Sequence, residues 1–318
     1  MTDVRLELAN EESADAARGK ETLHNISAGK WLVMGLDLEE QQYVSDTVCC
    51  SFTDFFCRRI LVWQASKKVT ALGAADLQEK RHILRRRIDN WREVQRAYMP
   101  CIDQLLATIA SDASHDSASA DSSRMTTTPE QPETTPLFLP SSIPSSLWTT
   151  GCVPGLVDKE RRLRLAQADD GLNELRRQLR ISATLRDYKR VQIGGTSQKM
   201  STRAHSLLSR FHDKTIRCAE RYSAAYKALS ILDPKGDWTT RLRFLDHKKD
   251  LRSPRRSDDD ESRETRRELS WIWLVPREGG PPSAVASAEE INDSRFNCSI
   301  FLSLCRPCAW VVYLIYVC

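Results

Sequence analysis

The sequence predicts an all-α chain: an antiparallel hairpin of two long helices with a third helix packed on it, a long disordered linker and an irregular tail. Three observations carry that reading. Charged residues make up 28% of the chain while glycine contributes only 12 of 318 residues, a balance that suits charge-laced helices and speaks against a glycine-punctuated sheet enzyme. Asp158–Val191 and Gln198–Leu232 place apolar or small residues on alternating three- and four-residue steps, as a coiled-coil seam requires. Ser111–Gly155 is rich in Ser, Thr, Asp and Pro and has too little apolar surface to offset its ordering entropy.

In chain order, Thr2–Gly19 predicts a short helix with a thin apolar stripe through Leu6, Ala9 and Ala16, stopped near Gly19. Trp31–Gln42 (WLVMGLDLEEQQ) predicts a second, so residues 1–42 form one helical part. Residues 43–66 are an atypical insertion, because VSDTVCCSFTDFFC carries three cysteines and three phenylalanines without helical periodicity. Residues 67–110 predict a helix whose stripe runs through Leu77, Leu84, Ile88, Trp91, Val94, Tyr98, Ile102, Leu105 and Ile109. Pro100 predicts a kink or break near Met99. The linker spans 111–155, and within it PLFLPSSIPSSL (Pro136–Leu147) is expected to lie extended against a helix.

Residues 156–252 predict the hairpin plus a short helix. The first rod has Leu165, Ala168, Leu172, Leu175, Leu179 and Ser182 on its stripe; the second has Ala204, Leu208, Phe211, Thr215, Cys218, Tyr222, Ala225, Leu229 and Leu232. Gly194-Gly195 supplies the reversal between them. At 1.5 Å per residue each rod is roughly 50 Å long. The small seam residues bury little area, so the pair needs the third helix, 67–110, packed on it. Asp233-Pro234-Lys235-Gly236 ends the second rod, and Asp237 is expected to cap a short helix through Trp238, Leu242 and Leu245. Residues 253–318 read as a charged linker, a WIW patch at Trp271–Trp273 and an atypical apolar tail. Arg306-Pro307 divides Phe296–Cys318 into pieces shorter than the roughly 18 residues of a membrane span, which makes a membrane role an outside reading.

The residues that carry chemistry elsewhere form no reactive constellation here, so catalytic, cofactor-binding and metal-binding residues are all expected to be none, and no cofactor is expected. Lys+Arg and Asp+Glu number 47 and 43, and the net charge of +4 is too slight to imply nucleic-acid binding by bulk charge. No secretory signal opens MTDVRLELAN, so reduced thiols and a nuclear or cytoplasmic location are expected for the ten cysteines and their chain. Cys305 and Cys308 form a lone C-x-x-C without the second pair a zinc site needs. His205 and His212 stand seven residues apart, where a shared ion wants four. Asp169-Asp170 and Asp258–Asp260 are adjacent in sequence, whereas two-metal catalysis draws carboxylates from different elements. The clusters Arg85-Arg86-Arg87, Arg161-Arg162 with Arg164, Arg176-Arg177 with Arg180, and Lys248-Lys249 through Arg256 suit phosphate contacts, but charge runs more often mark a solvated helix face. Lys248–Arg256 also suits a nuclear-import signal.

Several segments, taken in order, carry a resemblance. RLELANEE (Arg5–Glu12), Leu23-His24, GLDLEEQQ (Gly35–Gln42), ADLQEKR (Ala75–Arg81), RIDNWREVQRAYMP (Arg87–Pro100), LFLPSS (Leu137–Ser142), LRLAQADDGLNELRRQLR (Leu163–Arg180), TRAHSLLSRF (Thr202–Phe211) and RELSWIW (Arg267–Trp273) resemble the C-terminal helical region of fungal KDZ (Kyakuja–Dileera–Zisupton) transposases. Members of that family often carry a CxC-type cysteine cluster. The resemblance implies a link to cut-and-paste DNA transposition by an RNase H-like core with acidic metal ligands. That core and the cysteine cluster lie N-terminal to the matched region, so no catalytic residue carries over to this chain.

Two departures from the family pattern stand out. FFCR at Phe55–Arg58 is what a pyrimidine-rich splice acceptor gives when translated, and Leu274–Cys318 likewise resembles translated non-coding sequence. A mature transcript containing both segments would refute that origin. The expected function is therefore a non-catalytic fragment or remnant of a KDZ-like transposase with an accessory or assembly role. The rival is a standalone coiled-coil protein that oligomerises through the 204–232 seam. The expected partners are a second copy or other transposase-derived chains, with DNA resting only on the basic clusters.

Overall fold

The computed structural model describes residues 1–19, 23–46, 71–108, 131–192, 198–253 and 269–276. Among them every regular element is helical and none is a strand, so the chain is all-α as its composition and periodicity predict. The elements are α1 (Thr2–Ala17), α2 (Ala28–Asp46), α3 (Ala71–Tyr98), α4 (102–108), the single turn α5 (Trp148–Gly151), α6 (Leu156–Gln192), α7 (Gln198–Leu232) and α8 (Trp238–Arg241). Short 3-10 turns occupy Pro140–Ser142, Ser145–Leu147 and Trp271–Trp273. The atypical insertion enters α2 at its first residues, 43–46; the rest of it, from 47, the Ser/Thr-rich part of the linker at 111–130, the Gly194-Gly195 reversal, the charged run at 254–268 and the tail from 277 lie outside the described residues.

Compact packing divides the chain into two units, one of Met1–Asp170 with Glu220–Phe244 and one of Gly171–Ala219 with Leu245–Cys318. The core of the first is built around α2. Trp31, Leu32 and Leu36 of α2 are sealed from solvent together with Leu84, Ile88, Trp91 and Val94 of α3. These α3 positions follow the three- and four-residue steps expected of them, each contributing roughly 1.5–3 kcal/mol when a large apolar side chain is fully buried. Trp31 and Trp91 stack with ring centres 5.0 Å apart. Gly35 permits this close approach, because a Cβ there would stand 3.0 Å from both Leu139 and Trp91. The α1 helix buries only Leu8 and leaves Leu6 exposed, in keeping with its thin stripe. Gly19, at φ +80°, takes the left-handed conformation just past its end.

Two expectations are corrected in this unit, and α2 is more deeply packed than its short stripe predicts: α3 lies against α2, with Leu156 and Leu163 of α6 in the same core. The linker does not extend to Gly155, since Leu137, Leu139, Ile143, Cys152 and Leu156 are buried core residues. Proline-rich backbone can enter a core when its carbonyls are matched by side-chain donors, and here Gln42 donates to the Pro132 and Thr135 carbonyls, Gln95 to Phe138 and Trp148 to Pro140. Finally, Asp237 makes no side-chain capping bond to α8; the Asp233 carbonyl instead accepts the Trp238 indole N–H at 2.8 Å. Trp238 and Leu242 are nevertheless buried as expected. The break at Pro100 falls where predicted, with α3 ending at Tyr98 and α4 starting two residues after the proline. There the Val153 amide donates to the Tyr98 carbonyl at 3.0 Å.

In the second unit, the α6 positions Leu172, Leu175, Leu179 and Ser182 and the α7 positions Ala204 and Thr215 are buried, on the stripes the sequence assigns. Ile272 and Trp273 are buried as well, which gives the WIW patch a structural role in this unit.

Candidate functional site

Charged side chains of the first unit converge below its surface. Glu160, Arg164 and Gln167 project from one face of α6, Glu39 from α2 and Ser141 from the 3-10 turn. Arg164 is 2% exposed and Glu160 fully buried. The Arg164 guanidinium donates to both Glu39 oxygens at 2.7 and 2.9 Å, to Glu160 Oε1 at 3.1 Å and to Gln167 Oε1 at 3.1 Å. The Ser141 amide and hydroxyl donate to Glu160 Oε2 and Oε1 at 2.8 and 2.6 Å. Burial pushes the Glu160 carboxyl above its ordinary range, against the opposing pull of Arg164 and Ser141. Burial also opposes the charge on Arg164, but the carboxylates of Glu39 and Glu160 outweigh it and hold the guanidinium more firmly charged.

A carboxyl with raised proton affinity is the usual sign of a general acid. Glu160 is different, because both its oxygens are saturated by protein donors and the side chain is sealed from solvent. The arrangement is an ion network that ties three segments of chain together.

Further pairs continue the pattern. Arg241 grips both oxygens of Asp169, one at 2.8 Å. Glu12 accepts from the Gly29 amide at 2.6 Å and from Lys159 at 2.6 Å. Arg162 reaches Glu11 and Glu7 at 2.8 and 3.0 Å. In the second unit the buried Arg176 donates to the backbone carbonyls of Ile272 and Val275, each at 2.6 Å, and Arg180 lies 5.4 Å over the Trp273 ring. Trp271 and Trp273 donate in turn to Asp250 and to the Arg252 carbonyl at 3.1 and 2.9 Å.

The residues weighed for chemistry are thus largely absorbed into packing. Asp169 is bound to Arg241, Arg164 and Arg176 serve the interior, and Arg162 pairs with Glu7 and Glu11 at the surface. Arg85, Arg86 and Arg87 are exposed on α3, with Arg87 donating to Gln41 at 2.9 Å. His212 is half-buried and its proton affinity is lowered, first by burial, while His205 is exposed. Cys101 and Cys152 are thiols; burial pushes both up, Cys152 to about 11. Cys305, Cys308, Asp258–Asp260 and Arg255-Arg256 lie outside the described residues. Among the described residues no three His, Cys, Asp or Glu side chains are grouped to hold a metal ion.

Sequence reasoning missed the Glu39–Arg164–Glu160–Ser141 network. Its signal was the i, i+4 spacing of Glu160 and Arg164 beside the apolar Leu163, which places both on a face that cannot be wholly solvated. No protein-family model, curated protein or solved structure matches the chain.

Proposed function

We propose that the chain is a non-catalytic helical accessory module of a KDZ-like DNA transposase, acting in assembly, with the chemistry of transposition supplied outside these residues. One observation carries the reading. Segments that resemble the family are distant in sequence yet meet in a single core: Gly35 and Glu39 of GLDLEEQQ, Trp91 of RIDNWREVQRAYMP, Leu139 and Ser141 of LFLPSS, and Arg164 of LRLAQADD. Residues that serve one buried cluster account for motifs that otherwise have no chemistry.

The antiparallel hairpin belongs to this reading. It is supported where both rods enter the first unit: Arg161, near the start of α6, lies 3.9 Å from Asp233, just past the end of α7. The standalone coiled-coil alternative needs the 204–232 seam to face a second chain. Ala204, Tyr222, Ala225 and Leu229 are fully buried within this one, which counts against it. The proposed compartment is the nucleus or cytoplasm; among the described residues no helix is long and apolar enough to cross a membrane.

Genomic sequence upstream of Met1 tests the origin. An RNase H-like coding region, intact or degraded, in the same frame supports it. Unrelated single-copy sequence with its own promoter overturns it.

A further inference from the structure

We propose that Cys101 and Cys152 form a dithiol oxidation site, joined into an intramolecular disulfide by exchange with a low-molecular-weight disulfide of the glutathione type. The inference rests on the packing of the first unit and is independent of the transposase reading.

Pro100 brings the first thiol into place. The break it imposes ends α3 at Tyr98 and leaves Cys101 in the turn before α4. The Val153 amide closes onto the Tyr98 carbonyl at 3.0 Å, and the Trp148 indole N–H anchors the other end of the same segment on the Pro140 carbonyl at 2.9 Å. The turn α5 and Cys152 are thereby held against the break. A Cβ added at Gly151 would overlap the Cys101 sulfur and stand 2.6 Å from the Cys101 Cβ. Gly151 has no positive φ, so a glycine serves here by leaving room, and a thiol fills that room. Cys152 is one Cα step of about 3.8 Å further on. That is the separation scale of a disulfide, whose Cα atoms stand about 4.4–6.8 Å apart.

The two thiols differ in access, and this assigns their roles. Cys101 is partly exposed, whereas Cys152 is 6% exposed and belongs to the core that includes Leu139 and Ile143. A solvent-borne oxidant therefore meets Cys101 first. Burial pushes the proton affinity of both thiols up, and the neighbours acting on Cys152, the Cys101 thiol and the Glu160 carboxylate, push the same way. Thiolates are disfavoured at both positions, which makes the exchange slow in neutral solution. A disulfide carries no charge to desolvate, so the same surroundings favour the product.

The exchange takes two steps. The Cys101 thiolate attacks one sulfur of the small disulfide, breaks its S–S bond and expels one small thiolate, leaving a mixed disulfide on Cys101. Cys152, its proton given to solvent, then attacks the Cys101 sulfur; the protein disulfide forms, the mixed disulfide breaks and the second small thiolate leaves. Two protein thiols lose two electrons, and the small disulfide gains them to become two thiols. The link closes a loop that contains the Ser/Thr-rich linker.

The test uses the full reduced chain, incubated under native conditions with oxidised glutathione in mildly alkaline buffer, alkylated, and digested with trypsin without reduction. Cleavage places the two cysteines in separate peptides, Ala97–Arg124 and Met125–Lys159. Mass spectrometry should find these joined, two hydrogens lighter than the separate pair, as the chief form of both. C152S should instead trap glutathione on Cys101. C101S should lower modification of Cys152 about tenfold, because a sealed thiol reacts only through local opening. Should either serine variant fail to fold by circular dichroism, C101A and C152A take their place. Oxidation should raise the melting temperature of the parent by about 5–10 °C, the scale of a disulfide that closes a long loop, and dithiothreitol should reverse the rise. Cys101 joined chiefly to another cysteine, glutathione arriving first on Cys152, two thiols that stay fully alkylated, an equal yield of the joined peptides from urea-unfolded chain, or a melting temperature that does not rise each overturns the proposal.

Discussion

Trp31 and Trp91 clasp one another reciprocally: each indole N–H donates to the other's backbone carbonyl, at 3.3 and 3.1 Å, while the rings lie stacked within 8° of parallel. Two residues sixty apart in sequence thereby satisfy four polar groups in a buried core, and they fix α2 against α3 in one register. Truncating either ring should cost about 3–5 kcal/mol. W31A and W91A are expected to cost similar amounts, and the double variant clearly less than their sum, since both singles disrupt the same clasp. Urea unfolding followed by helical circular dichroism measures this; strict additivity would show that the clasp is incidental.

The Arg164 network makes a second, sharper expectation. Replacing Arg164 by methionine leaves Glu160 and Glu39 partly buried without their cation, and should cost about 3–5 kcal/mol. Removing the charges together, as E39Q/E160Q/R164M, should recover most of that loss, because the penalty arises from the uncompensated carboxylates. Denaturant midpoints for the two variants provide the comparison.

Arg176 holds Ile272 and Val275 by their backbone carbonyls, bonds that depend on the path of that segment. R176A should release Trp271 and Trp273, seen as a red-shifted, more quenchable tryptophan emission, at a cost of about 1.5–3 kcal/mol for charge-assisted bonds. R176K should restore little, since one ammonium cannot span both carbonyls in the guanidinium's fork.

Acid sensitivity should come in two stages with the same sign. Burial, aided by Arg186, lowers the proton affinity of His212 below its ordinary value of 6.5 despite Asp213. The unfolded chain therefore takes up this proton first, and the contribution of neutral His212 is present above pH 6.5 and lost as pH falls below it. Glu12 behaves likewise lower down. Burial works to raise its carboxyl, but Lys159, Ser27 and the Gly29 amide together bring it below 4.5, so its stabilisation is complete above that pH and fades below. Melting temperatures between pH 8 and 3 should fall in both windows; H212Q should flatten the first and E12Q the second.

The elements with long, regular spacing were readable from sequence. Gln198–Leu232 has the bounds that its 4-3 alternation implies, and Pro100 ends α3 because a ring without an N–H cannot continue it. What escaped is what depends on a third partner. Arg164 and Glu160 carry the charges of a solvated face, and only the arrival of Glu39 and Ser141 turns that face inward. Leu137, Leu139 and Ile143 sit among prolines that suppress every periodic signal, although their burial needs no periodicity.

The first compact unit is discontinuous, and this constrains the order of events during synthesis. Asp169 leaves the ribosome 72 residues before Arg241, the guanidinium that neutralises it. Translation must therefore pass through the whole basic stretch of 171–219 before the opening unit can close. For several seconds at ordinary elongation rates the nascent chain holds an unmatched acidic residue and an incomplete core, an interval in which a chaperone or a second nascent copy has its best access.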